Sequence, residues 1–193
     1  QGIFELVTPS PRCWIYPSGA THGAINVVEA IRDSCNYFFY TLGYELSLDN
    51  GIYQESKGTE VIARYGEMFG LNENSGIEIS ESAPQIADEF PVTASIGQSN
   101  HNYTTTQLAR YAAALANKGT LYQLTLIQRI QEGAEGAIRP AAPKENQTLD
   151  EIVPSAWDTI AEGMELVAGN NRILRELPMA VAGKTGTAQQ NRT

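Results

Sequence analysis

Apolar residues recur at helical spacing in several stretches of the chain and alternate only weakly elsewhere. Val27, Val28, Ala30 and Ile31 form one helical face directly after Asn26, and Glu29 stands three residues beyond it. In that arrangement the Asn and Glu side chains cap each other's backbone donors, so a short helix is predicted there. It should end at "RDSCN", where Asp33, Ser34 and Asn36 compete for backbone hydrogen bonds, and a second helix should run through "YFFYTLGYEL". "TEVIARYGEMFGLN" predicts an amphipathic helix stopped by Gly70, and "TTTQLARYAAALANKGT" another, stopped between Asn117 and Gly119. "PSAWDTIAEGMELVAG" opens on Pro154 and closes on Gly169, a further helix. Extended structure is expected in "SGIEIS", in "LYQLTLIQRI" and in "VAGKTGTAQQ", where Val181, Ala182, Thr185 and Thr187 suit a strand that puts Lys184 and Gly186 on one face. Residues 1–22, 49–58, 81–103 and the segment "QEGAEGAIRPAAPKENQ" read as loop and turn, with short extended pieces in the first.

Length and charge narrow the function. A chain of 193 residues with 42% hydrophobic content can bury one domain core or a little more. Its net charge is −9 and it has no basic run, which argues against nucleic acid as a partner. No apolar stretch approaches the roughly 20 residues of a membrane span, and the first residues lack the plan of a signal peptide. Two cysteines, Cys13 and Cys35, allow one disulfide at most. Arg32 and Asp33 read as solvated helix-end charges, and His101 as an exposed loop histidine.

Two polar elements stand apart from this background: "SCN" at a helix junction, and "KTGT" in a late extended segment. A lysine with a glycine on the same face suits an anion pocket, because the bare backbone admits a ligand and the ammonium supplies charge; a solvated edge strand is the plainer alternative. Together the two elements resemble the penicillin-binding protein transpeptidases, whose fold is shared with serine β-lactamases. The blocks "HGAINVVEAIRDSCNYFFYTLG", "YGEMFGLNENSGIEI", "SIGQSNHNYTTTQLARYAAALANKGTL" and "AGKTGTAQ" follow in the order of class B members, the elongation-type PBP2 group in particular.

The resemblance implies a mixed α/β (α+β) fold, helices packed on an antiparallel sheet, in an incomplete transpeptidase domain over residues 1–193. It implies a D,D-transpeptidase that cross-links peptidoglycan stem peptides through an acyl-serine, is inhibited by β-lactams, and works at the extracytoplasmic face of the bacterial membrane. Ser34 and Asn36 would line the cleft, Lys184 would assist proton relay, and Thr185, Gly186 and Thr187 would take the substrate carboxylate and an oxyanion. Cell-wall elongation proteins, a glycosyltransferase among them, would be its partners, and a membrane anchor is expected only in a full-length protein. A D,D-carboxypeptidase or β-lactamase of the same fold, or a non-catalytic penicillin sensor, would show the same motifs.

The sequence also departs from the family. No serine is followed three residues later by lysine, so the Ser-x-x-Lys nucleophile is absent and the chain is expected to begin after it and to stop before the last strands. Cys13, His22 and Cys35 are spaced C-x8-H-x12-C, a loose zinc-ligand pattern. Some elongation-type relatives hold zinc with a histidine before the glycine and a cysteine inside the Ser-x-Asn element, which His22 and Cys35 match. Cys13 would be a third ligand, and an upstream carboxylate or Glu5 the fourth. A Cys13–Cys35 disulfide and two inert thiols are the alternatives.

Overall fold

A computed structural model describes residues 2–142 and 144–187, which divide into two compact units. The first holds residues up to 63, 87–101 and from 153 onward; the second holds 64–86 and 102–152.

In the first unit, helix α1 (Val27–Arg32) starts as its sequence predicts: Asn26 Oδ1 accepts from the Glu29 amide at 2.9 Å, and the Glu29 carboxylate accepts from the Asn26 amide at 2.9 Å. Helix α2 (Asn36–Leu46) follows after three residues, and its aromatic side chains build the core. Phe4, Tyr40 and Val92 are buried together, with Tyr37 meeting Phe4 edge to face at 5.6 Å between ring centres. A second buried group joins Cys13, Ala30 and Cys35. The N-terminal residues reach both groups because Phe4 and Cys13 donate backbone hydrogen bonds to Pro11 and Gly2. Helix α6 (Pro154–Asn170) lies along α1 at Gly163, where a Cβ would stand 2.8 Å from the Cβ of Ile31. Bare backbone at that point lets the two helices touch.

Residues 49–58 are more structured than a polar turn. Asn50 and Gly51 both have positive φ, 49° and 82°, the two-residue turn that joins strands β1 (Leu48–Asp49) and β2 (Ile52–Tyr53), and helix α3 (Glu55–Met68) begins two residues later. The segment 81–103 likewise contains a short helix, α4 (Pro91–Ala94), opened by its proline.

In the second unit, helix α5 (Thr105–Ala116) has a capping box between Thr104 and Gln107 and stops at Asn117–Gly119. The expected strand "LYQLTLIQRI" is two strands: β3 (Thr120–Gln123) pairs with β6 (Lys144–Thr148), and β4 (Arg129–Gln131) pairs with β5 (Ile138–Pro140), all antiparallel. The break has a cause: the Leu124 amide bonds to the Ser75 carbonyl, and the Glu78 carboxylate takes the Thr125 hydroxyl and the Leu126 amide. "SGIEIS" is therefore not a strand; it supplies the groups that interrupt one. Strands β5 and β6 hid in a turn-rich sequence because every residue of both is exposed, leaving no apolar alternation. Arg110 is buried, its guanidinium donating to the carbonyls of Gly70 and Asn74 and to Glu73. The class is α+β with an incomplete antiparallel sheet, present among the described residues as separate two-stranded ladders.

Candidate active site

The site begins where α1 ends. The Ser34 amide donates to the Ile31 carbonyl at 3.3 Å and the Cys35 amide to the Ala30 carbonyl at 3.0 Å, while Ser34 has φ 51°. This crossed pair of bonds is the Schellman ending, and its left-handed residue is usually glycine. A serine there carries a conformational cost of order 1 kcal/mol and keeps a hydroxyl in return. The residues after and before the turn are fixed as well: Cys35 and Ala30 share the buried apolar group, and the Asp33 carbonyl accepts from Trp14 Nε1 at 3.1 Å. Arg32 and Asp33, expected as solvated helix-end charges, are half-buried. They form a bidentate pair at 2.7 and 2.8 Å, whose hydrogen bonds raise the guanidinium pKa and lower the carboxyl.

The second half of the site arrives from far along the chain. Lys184 Nζ donates to Ser34 Oγ at 2.5 Å and to the Thr185 carbonyl at 3.0 Å, and Ser34 Oγ lies 3.1 Å from Thr185 Oγ1. Partial burial draws the Lys184 pKa below its ordinary value. The segment is held to α6 by the Gly183 amide, which donates to the Met164 carbonyl at 3.0 Å. It is not the regular strand expected. No described strand pairs with it, and neighbouring side chains, Lys184 and Thr185, both meet Ser34 where a pleated strand would send them to opposite faces. Gly186 and Thr187 follow, exposed; Ala188 and Gln189, the last residues of that sequence block, lie outside the described residues. Asn36 is the first residue of α2 and half-buried, one turn before Tyr40, whose hydroxyl donates to the Arg12 carbonyl at 3.4 Å. His101 is half-buried rather than exposed: its Nδ1 accepts from the Ala87 amide at 3.0 Å, and burial lowers its pKa.

Cys13, His22 and Cys35 come together on the other side of the same turn. Their ligand atoms all lie within 4.8 Å of one another, with Cys13 Sγ 3.7 Å from His22 Nδ1, beside a cavity of about 40 Å³. Both cysteines are free thiols, not a disulfide, and burial pushes the Cys35 thiol pKa up. Bonds of about 2.3 Å to sulfur and 2.0–2.1 Å to nitrogen separate the ligands of a tetrahedral zinc by roughly 3.5–3.8 Å; the Cys13–His22 distance of 3.7 Å falls in that range and the other two lie within 4.8 Å. His22 Nε2 is buried without a hydrogen-bond partner, and because an imidazole gives a metal one nitrogen, zinc on Nδ1 would leave Nε2 as it is. These three residues fit a zinc ion. Glu5 is exposed and stands outside the group, so it is not the fourth ligand in this structure.

Sequence reasoning missed Trp14, Gly163 and Met164, which fasten the two halves of the site. Trp14 had a signal, an aromatic residue next to a candidate ligand. Gly163 and Met164 had none, since their roles depend on which helix α6 meets.

An α+β fold with a lysine set on a serine at a helix junction puts the chain with the penicillin-binding and serine β-lactamase folds. A profile of the penicillin-binding protein transpeptidase domain matches residues 9–193, and the chain belongs to that family. It is 23% identical over 190 residues to peptidoglycan D,D-transpeptidase MrdA of Escherichia coli K12, a match covering 87% of this chain and 28% of the relative. It is 28% identical over 206 residues to stage V sporulation protein D of Bacillus subtilis 168, covering 98% of this chain and 28% of the relative. The chain thus spans little more than a quarter of the length of either. Among solved structures, a chain from a peptidoglycan synthase complex that coordinates polymerization and crosslinking superposes with a TM-score of 0.77 at 24% identity, over 98% of this chain and 32% of that one.

Proposed function

We propose that this chain supplies two walls of a D,D-transpeptidase cleft that cross-links peptidoglycan stem peptides and is acylated by β-lactams. The observation that carries the reading is the Lys184–Ser34–Thr185 cluster, assembled from residues 150 positions apart. The attacking serine belongs to a Ser-x-x-Lys element outside these 193 residues. Its oxygen forms an ester with the penultimate D-Ala carbonyl as the peptide C–N bond breaks, and an amine of a second stem then takes the acyl group and frees the serine.

The residues here serve that exchange. Lys184 donates to one lone pair of Ser34 Oγ, which leaves the Ser34 proton free to pass to the departing amine. The Thr185 and Thr187 hydroxyls and the ammonium receive the stem's terminal carboxylate, and the backbone at Thr187 offers one oxyanion donor. Asn36 holds the substrate peptide group. Cys13, His22 and Cys35 would hold a zinc ion whose role would be structural, cross-linking the chain around the turn, with no chemical step through it. The enzyme acts outside the plasma membrane beside a glycosyltransferase, a reading supported by the family match and the likeness to peptidoglycan D,D-transpeptidases.

Labelled penicillin tests this in the complete domain. Lys184→Ala should slow acylation by about 10²-fold or more, since it deletes a charge-assisted contact at the reacting groups. Unchanged acylation would overturn the assignment. The 193-residue chain by itself should take no label; a penicilloyl adduct mapped to Ser34 would mean that the nucleophile lies within it.

A further inference from the structure

Ser34 occupies a backbone conformation that serine does not favour, so something must hold it there. The two flanking residues show what does. On one side, Cys35 is buried beside Cys13. On the other, the Asp33 carbonyl, one of the unpaired acceptors at the end of α1, takes the indole N–H of Trp14 at 3.1 Å. Both flanks of the left-handed residue are thus fastened to one dipeptide, Cys13-Trp14. Trp14 in turn rests on the His22 ring, with 5.6 Å between centres, and is 56% exposed. A tryptophan so exposed contributes little to the core, and its one polar atom is spent on the turn.

We propose that Trp14 is a positioning residue for Ser34: its N–H pins the Asp33 peptide and so keeps the Ser34 hydroxyl within reach of Lys184 Nζ. The proposal rests on the cleft reading given above. It makes the loop around Cys13 part of the catalytic apparatus without any contact to substrate. Losing the N–H lets the Asp33–Ser34 peptide rotate toward the ordinary helical or extended regions. Either rotation carries Oγ away from the ammonium.

Two changes at position 14 of the complete, nucleophile-bearing protein separate the hydrogen bond from packing. Trp14→Phe removes the N–H and shortens the ring; the benzothienyl isostere, with sulfur in place of N–H, removes only the donor. With labelled penicillin, both should lower the acylation rate constant at saturation by roughly five- to tenfold, the scale of one hydrogen bond, and leave the half-saturating concentration within about twofold. Amide exchange at Ser34 and Cys35 should quicken by a similar factor while that of α2 stays unchanged. A merely structural tryptophan would instead lower the active fraction and protection throughout the unit, with a normal rate in what remains folded. Loss with Phe but not with the isostere overturns the proposal, as does a normal rate in both. Lys184→Ala run alongside separates the failures: if it abolishes acylation while the Trp14 variants do not slow it, only this inference falls; if it has no effect, the cleft reading falls first.

Discussion

Ser34 shows a conflict between stability and chemistry at a single residue. Glycine is the residue that suits the left-handed end of a helix, and the structure has serine there, facing Lys184. Ser34→Gly is therefore expected to stabilise the first unit by about 0.5–1 kcal/mol and, on the proposed mechanism, to slow penicillin acylation of the complete domain. Urea denaturation beside penicillin acylation checks both halves, and a lower urea midpoint for the glycine variant would contradict the account of the turn. The sequence offered Ser34 either as a helix-end residue or as a site residue. The structure makes it a helix-end residue that also meets Lys184, which periodicity cannot show, because the turn's bonds are local and the lysine is far away in sequence. The neighbours of Lys184 set it apart from an ordinary surface lysine; that Thr185 would turn to the same side was not legible, since that follows from the missing pleat.

Helix α6 brings the distant lysine to the turn, and two of its glycines make opposite predictions. At Gly163 an added Cβ meets the branched Cβ of Ile31 at 2.8 Å, an atom fixed to its backbone, whereas at Gly169 it meets nothing within 4 Å. Gly163→Ala should thus destabilise by about 1–3 kcal/mol of overpacking, less the helix-propensity gain of nearly 1 kcal/mol, and should spread Ser34 from Lys184. Gly169→Ala should keep the propensity gain and stabilise by roughly 0.5–1 kcal/mol. Thermal melts of the pair decide it; equal shifts of one sign would mean that α1 and α6 do not touch as described. Capped helices such as α1 and α5 were legible because caps and apolar stripes are written locally. Strands β5 and β6 were not, because exposed ladders are held by backbone bonds alone, and α4 was too short to show a period.

At the scale of the molecule, the turn, the N-terminal loop and α2 meet in one small buried group, and a metal there would act on all of them at once. Without a cation Cys13 and Cys35 are two buried free thiols, with His22 Nδ1 3.7 Å from Cys13 Sγ. Zinc would bond to all three side chains, and binding that favours only the folded state would add stability by mass action. At free zinc a hundred times the dissociation constant the gain is about 2.7 kcal/mol, or roughly 5–10 °C in melting temperature for a chain of this size. Purification without chelator should give protein with one zinc by elemental analysis, and a chelator should lower the melting temperature by that amount and expose two titratable thiols. Cys13→Ser and His22→Ala should each remove both the metal and the chelator's effect. Cobalt substitution adds an independent readout, since thiolate-bound tetrahedral cobalt gives charge-transfer and ligand-field absorption that hexa-aquo cobalt lacks. Metal-free protein from a zinc-supplied preparation, with a melting temperature that neither zinc nor chelator moves, would leave the three residues as a packed pair of thiols and a histidine, and the turn would then be held by Trp14 and the Schellman bonds alone.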